Sequence, residues 1–339
     1  IELMFSDQPA LWALLVLGCA FLSAILILVL KPLLVRYLMA APNHRSAHTV
    51  ATPQGAGLAV TLSVLTGCGL AAHFWPGVAG PSLLPVLAAA AALSVLGALD
   101  DAHALPVSWR LVGQTLAAIV LALSLPRGFQ VFPDILPLAI ERALIVLGAV
   151  WFVNAINFLD GLDWMTVAMV VPMTLGIAAL QALGTVPAGV GLLGIVLLGA
   201  ILGFAAFNKH PAKVFLGDAG SLPIGFCLAF MLIFVAKAHL AAGLLLALYP
   251  LSDATLTLFG RIVAGEAFLS PHKTHFYQRA VTQGLRVPQV TARVFLLGLL
   301  LAFLAVITVI ARSLPVDILC LIVGVLATAL VLLALARGR

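Results

Sequence analysis

Residues 10–30 read ALWALLVLGCAFLSAILILVL, about 21 positions without a single charge. A helix rises 1.5 Å per residue, so ~20 such residues cross the roughly 30 Å hydrocarbon core of a bilayer. The run is too long for the apolar core of a secretory signal. Its upstream flank also offers Glu2 and Asp7 instead of basic residues, so it reads as a retained membrane helix.

The rest of the chain repeats this pattern. Apolar runs centre on 57–74, 83–99, 111–125, 137–156, 164–182, 187–207, 219–236, 238–259, 293–311 and 315–336, giving about eleven spans with the first. At ~20 residues each they use about 220 of the 339 positions, which leaves short connections and no room for a separate soluble domain. The expected fold is an all-α polytopic integral membrane protein, with residues 1–339 forming one transmembrane domain. Composition agrees. Hydrophobic residues make up 63% of the chain and charged ones 9%, against roughly 45–50% and about 25% in soluble domains. Mean hydropathy is +1.22. Disorder, a disulfide scaffold and a nucleic-acid-binding module are excluded. Cys19, Cys68, Cys227 and Cys320 all lie in apolar runs and read as small hydrophobes.

The net charge of +5 has a topological reading. One set of alternating loops holds Lys31, Arg36, Arg45, Arg110, Lys209, Lys213, Arg261, Lys273, Arg279, Arg286, Arg293, Arg337 and Arg339. The other holds only Arg127, Arg142, Lys237 and Arg312. Cytoplasmic loops retain Lys and Arg, so the first set is expected inside, the N-terminus in the periplasm and the C-terminus in the cytoplasm. Asp100, Asp101, Asp160, Asp163, Asp218 and Glu266 fall on the same face, with Asp253 near the inner end of its helix. An active site is expected there.

Five segments of that face could carry chemistry. Asn43-His44-Arg45-Ser46-Ala47-His48, followed by Thr52-Pro53-Gln54-Gly55-Ala56-Gly57, suits a loop whose backbone approaches a ligand, with Arg45 and His48 as candidate contacts. Asp100-Asp101 places two carboxylates side by side, a repulsion that a divalent cation relieves. Asn154 to Asp163 packs two amides and two carboxylates between two spans, which is costly at a membrane edge unless they meet partners. Phe215-Leu216-Gly217-Asp218-Ala219-Gly220-Ser221 sets an acid between glycines just before a span, with Lys209 and Lys213 upstream. The longest loop holds Arg261, His272, Lys273, His275, Tyr277, Gln278 and Arg279, a cationic group suited to a diphosphate beside Mg²⁺. Each segment also has a bland account as a helix cap or a lipid-facing loop. Their coincidence on one face points to phosphoryl transfer at the bilayer surface, between a water-borne and a lipid-borne substrate. Asp253 and Arg261, eight apart, share a helix face and read equally well as a wall of the site or as structural support.

From about Asn43 to Arg279 these segments, in this order, resemble the polyprenyl-phosphate N-acetylhexosamine-1-phosphate transferases, of the glycosyltransferase family 4 type. That group starts O-antigen, enterobacterial common antigen and teichoic acid linkage synthesis, and the phospho-MurNAc-pentapeptide transferase is a relative. The resemblance implies transfer of a sugar 1-phosphate from a UDP-sugar to undecaprenyl phosphate, releasing UMP. It implies a multi-pass enzyme of the bacterial inner membrane that requires Mg²⁺, with Mn²⁺ as a substitute, and it allows a homodimer. Carried over by position, Asp100 deprotonates or positions the lipid phosphate with Asp101 beside it, and Asp218 is the metal ligand. Asn157, Asp160 and Asp163 hold nucleotide and diphosphate, with Asp100, Asp101 and Asp160 counted as the catalytic acids. Phe215 stacks on uracil, and Arg110, Lys213, His272, His275 and Arg279 contact phosphates or sugar. Trp164 stands where the family usually has Gly, and Gln54 and Ala56 where Arg and Gly are commoner. Lys273 and Thr274 interrupt what is a run of three histidines in the peptidoglycan enzyme, which argues against a MurNAc-pentapeptide substrate. The rival readings are a secondary transporter and an intramembrane aspartyl protease. The first needs acids near the midplane and the second two facing carboxylates within the membrane.

Overall fold

The structure is a computed structural model that describes residues 9–40, 51–266 and 273–338. Its long helices are α1 (Pro9–Tyr37), α2 (Gly57–Phe74), α3 (Gly80–His103), α4 (Val107–Ser124), α5 (Leu138–Leu159), α6 (Met165–Ala182), α7 (Ala188–Asn208), α8 (Asp218–Ala238), α9 (Leu240–Val263), α11 (Val287–Ala311) and α12 (Leu314–Ala336). A short α10 (Phe276–Thr282) precedes α11. All eleven long helices are long and apolar enough to cross a membrane.

Each expected span is found, and the differences lie at the ends. Hydropathy marks only the stretch that sits in hydrocarbon, whereas a helix continues into the interface for as long as its backbone bonds do. α1 therefore runs past Lys31 to Tyr37, and α11 begins six residues before the apolar run. The consequential case is α3. It continues through Asp100 and Asp101 to His103, so both acids stand on its last turn.

The sequence gives no sign of a strand, yet Met39–Ala40 (β1) pairs antiparallel with Thr52–Pro53 (β2), Met39 opposite Pro53. The ladder sets residues 52–57 along the segment before α8. The Phe215 amide donates to the Pro53 carbonyl (2.8 Å), and the Ala56 and Gly57 amides donate to the carbonyls of Phe215 and Leu216 (3.0 and 2.9 Å).

α8 is the central helix, with 89% of its apolar window buried, against 17% for the peripheral α1. Its first turn is gripped by glycines. A Cβ on Gly57 would lie 2.1 Å from the Gly220 Cα, and one on Gly97 would lie 2.2 Å from the Asp218 carbonyl oxygen. α2 and α3 thus press backbone to backbone on the residues around Asp218. Ser94 adds a hydrogen bond to the Ala219 carbonyl at 2.7 Å.

The opposite end of the bundle is held by ordinary anchors. Arg142 donates to the carbonyls of Ala122 and Pro126, and Glu141 accepts from the Val131 amide and Gln130. Arg142 therefore fastens the loop after α4.

Candidate active site

The ends of α3, α4, α5 and α8 bring Asp100, Asp101, Arg110, Asn157, Asp160 and Asp218 into one cluster. Consecutive residues on a helix point about 100° apart, so the adjacent acids of α3 face different neighbours. Asp100 accepts the Leu105 amide (2.6 Å) and the Arg110 guanidinium (3.1 Å). Asp101 accepts the Asp218 amide on Oδ1 (2.9 Å) and the Ala219 amide on Oδ2 (3.2 Å). Gln54 donates to the Asp101 carbonyl oxygen (3.1 Å) and to its Oδ1 (3.4 Å).

Asp218 lies at the centre. Arg110 reaches its Oδ2 at 3.4 Å, and Asn157 donates to its Oδ1 at 2.7 Å and to the Ser221 hydroxyl at 2.8 Å. Asp160, just past the end of α5, accepts from the Thr166 hydroxyl. Burial lifts its carboxyl to about 8; the Asp218 and Asp101 charges push the same way and the Thr166 bond opposes them.

Four carboxylates thus stand close together, and among the described residues Arg110 alone makes ion pairs with them. A divalent cation among them would favour their ionised forms, that of Asp160 included. No group of three or more His, Cys, Asp or Glu among the described residues forms a ready-made cage. This arrangement fits Mg²⁺, which is usually held by one or two carboxylates and completed by water and substrate phosphates.

The remaining expected residues are placed differently. Asp163 is buried and engaged with the His210 ring (2.7 Å) and the Ala212 amide (3.0 Å), so it braces the loop after α7. Phe215 is half-buried and its backbone joins the 53–56 segment. Lys213 is exposed, with its amide on the Phe207 carbonyl. His275 is buried, its Nδ1 on Asp253 at 3.2 Å and its ring stacked on Tyr277. Arg279 is exposed and lies over the Phe276 ring at 5.8 Å. Arg45, His48 and His272 lie outside the described residues.

Asp253 belongs to the framework. It is fully buried and accepts from Tyr249 (3.2 Å), Thr257 (3.3 Å), His275 and the Phe276 amide (3.2 Å). Arg261 donates its Nε to Glu266 at 2.7 Å. Trp164 adopts φ +63°, a left-handed conformation that glycine takes without cost. Its amide donates to Asn208 and its indole N–H to the Ala205 carbonyl, both at 2.7 Å. The indole borders a cavity of about 240 Å³ shared with Asp163, Lys209, His210 and Phe295.

The residues that sequence reasoning missed as parts of this framework are Gln54, Thr166, His210 and Ser221. Thr166 and His210 lie outside the marked segments, whereas Gln54 and Ser221 lie inside them and act through partners distant in the chain. Gln54 carried one usable signal, since it sits in the conspicuous Thr-Pro segment.

A family model described as Glycosyl transferase family 4 matches residues 83–236. A decaprenyl-phosphate N-acetylglucosaminephosphotransferase of Mycobacterium leprae is 30% identical over 312 residues, 80% of this chain and 77% of the relative. A probable undecaprenyl-phosphate N-acetylglucosaminyl 1-phosphate transferase of Bacillus subtilis is 27% identical over 279 residues, 78% of this chain and 76% of the relative. A phospho-N-acetylmuramoyl-pentapeptide-transferase of Sorangium cellulosum is 27% identical over 303 residues, covering 75% and 79%.

Proposed function

Because the chain belongs to glycosyl transferase family 4, among the polyprenyl-phosphate hexosamine-1-phosphate transferases, we propose that it moves N-acetylhexosamine 1-phosphate from a UDP-sugar to undecaprenyl phosphate. The products are undecaprenyl-diphospho-sugar and UMP. The observation that carries this reading is the cluster of Asp100, Asp160 and Asp218 around Arg110 and Asn157, at the helix ends of the face expected in the cytoplasm. Acids at helix ends suit a site where a soluble nucleotide meets a lipid headgroup. A transporter would need them near the midplane.

The donor already contains the bond to be broken, so the protein's task is alignment and charge neutralisation. An oxygen of the lipid phosphate attacks the phosphorus that bears the sugar, and the oxygen bridging to UMP leaves with the electron pair. Asp100 faces the Arg110 side of the cluster and orients the incoming phosphate. Arg110, between Asp100 and Asp218, passes to the phosphates when they arrive and spreads their charge. Asn157 holds the Asp218 carboxylate in a fixed direction. Asp218, with Asp160 close by, would hold Mg²⁺, which supplies Lewis-acid neutralisation of the diphosphate when bound. In the cell this would be the first membrane step of O-antigen or another surface polysaccharide, in a bacterial cytoplasmic membrane.

The test is UMP release by purified protein in detergent with undecaprenyl phosphate, Mg²⁺ and a panel of UDP-N-acetylhexosamines. Lipid- and Mg²⁺-dependent UMP from one donor, lost in Asp218→Ala, is the expected result. A folded protein that releases no UMP from any donor would sink the proposal.

A further inference from the structure

We infer that Asp101, held by Gln54, supplies the capping acceptor for the N-terminus of α8 and is a positioning residue for Asp218 instead of a reacting group. The inference rests on the transfer reading above for what Asp218 does.

Both Asp101 oxygens are occupied by backbone donors, the amides of Asp218 and Ala219. These belong to the first turn of α8, whose amides have no partner within the helix and need an acceptor from outside. Helices commonly take that acceptor from the side chain just before the first turn. Here that residue is Gly217, which has none, and it could not carry one: a Cβ there would lie 2.3 Å from Asp101 Oδ2, and its φ is +74°. The cap comes instead from α3, 117 residues away in the chain.

Gln54 closes the arrangement. Its amide group reaches both the carbonyl and Oδ1 of Asp101, and its own backbone lies between Pro53 and Ala56, which bond Phe215. Three separate stretches thus form one ring of hydrogen bonds around the start of α8. The direction in which the Asp218 carboxylate leaves the backbone is set by that ring, and Asn157 then fixes its far end at 2.7 Å. Asp100 has the contrasting environment, with its side chain on Arg110 and next to the Asp218 carboxylate.

The two roles for Asp101 differ in what Asn can replace. As a cap, Asn keeps one of the two acceptor oxygens and so part of the hold on α8. As a general base, Asp replaced by its amide loses about 10²–10⁴-fold. The experiment compares Asp101→Asn, Asp101→Ala and Gln54→Ala with the unaltered full-length protein. It reads hydrogen exchange in peptides covering 216–222 in EDTA, Mn²⁺ affinity without substrate, and UMP release. Asp101→Asn, left with one acceptor oxygen, is expected to lose about tenfold in turnover, with exchange and Mn²⁺ affinity between those of the unaltered protein and Asp101→Ala. Asp101→Ala should lose more than about a hundredfold in turnover, exchange faster at the start of α8 and bind Mn²⁺ more weakly. Gln54→Ala should move exchange and Mn²⁺ affinity in the same direction by less.

If Asp101→Asn is as inactive as Asp101→Ala while exchange and Mn²⁺ binding stay normal, Asp101 acts on the reacting atoms and the inference is overturned. Unchanged exchange in Asp101→Ala would overturn it as well. Should the Asp101 variants fail to fold, Gln54→Ala decides, since it leaves Asp101 in place. Exchange that responds in a protein releasing no UMP from any donor would uphold the cap and remove the transfer reading.

Discussion

The Tyr277 hydroxyl donates to the Phe158 carbonyl at 2.9 Å, and that bond fastens α10 to the turn carrying Asn157 and Asp160. Tyr277 is fully buried, and burial pushes its phenol well above the usual range, so it stays a donor throughout the working pH range. Gly161 leaves room for it: a Cβ there would lie 2.1 Å from the Tyr277 oxygen.

Tyr277→Phe leaves the Phe158 carbonyl unpaired and is expected to cost about 1–3 kcal/mol. Gly161→Ala should cost more in the unaltered protein than in Tyr277→Phe, with a coupling of about 0.5–3 kcal/mol. Thermal unfolding of the four proteins in detergent measures this, and strictly additive costs would rule out the contact.

Asp160 makes stability depend on pH. Its folded value of about 8 lies above the ordinary 3.8, so its contribution is complete below pH ~4 and is lost as pH rises through ~8. In EDTA, the melting temperature should fall between pH 6 and 8 more steeply in the unaltered protein than in Asp160→Asn. The Asp160 contribution to the slope is at most about 1.4 kcal/mol per pH unit. Parallel curves would show that Asp160 is ionised in the fold.

Arg110 is the counter-ion of Asp100 and Asp218. Its removal leaves the carboxylates more repulsive and more receptive to a cation. Arg110→Ala should therefore bind Mn²⁺ more tightly without substrate, yet lose about 10²–10³-fold in transfer rate because the phosphates lose a donor. Titration by electron paramagnetic resonance and UMP release test the two halves, and weaker Mn²⁺ binding would contradict the counter-ion role.

Asp253→Ala strips the acceptor from Tyr249, Thr257, His275 and the Phe276 amide at once. Each buried donor left unpaired costs about 1–3 kcal/mol, so little folded protein is expected after extraction. Asp253→Asn keeps one acceptor oxygen and should be milder. Equal yields and melting temperatures for both variants would show that the network carries little of the stability.

The bundle was legible because apolar length is a local property. Each window of ~20 residues reports on itself, and eleven windows gave eleven helices. The cluster of Asp100, Asp160 and Asp218 was legible because carboxylates at membrane edges are costly without a purpose. What each acid does was not legible. Asp101 and Asp100 are neighbours in sequence, and only the path of α8 shows that one caps a helix while the other faces Arg110. Asp163 read as a contact to nucleotide and diphosphate, and its side chain meets His210, 47 residues later and past the end of α7. Asp253 stood between two readings until Tyr249, Thr257 and α10 closed around it. These assignments depend on long-range packing that a one-dimensional pattern does not encode.

The glycine contacts of Gly57 with Gly220 and of Gly97 with Asp218 lock the helix ends around Asp218 backbone to backbone. Bilayers differ in thickness by a few Å, and spanning proteins adapt by tilting or stretching their outer helices. In this bundle α1, α4 and α12 lie at the rim, with 17%, 28% and 28% of their windows buried, so such an adjustment would fall to them. α2, α3 and α8 touch through main chain, where no side chain can change rotamer to let them slide. Membranes of different chain length should therefore change how firmly the rim helices sit, and leave the spacing of Asp100 and Asp218 unaltered.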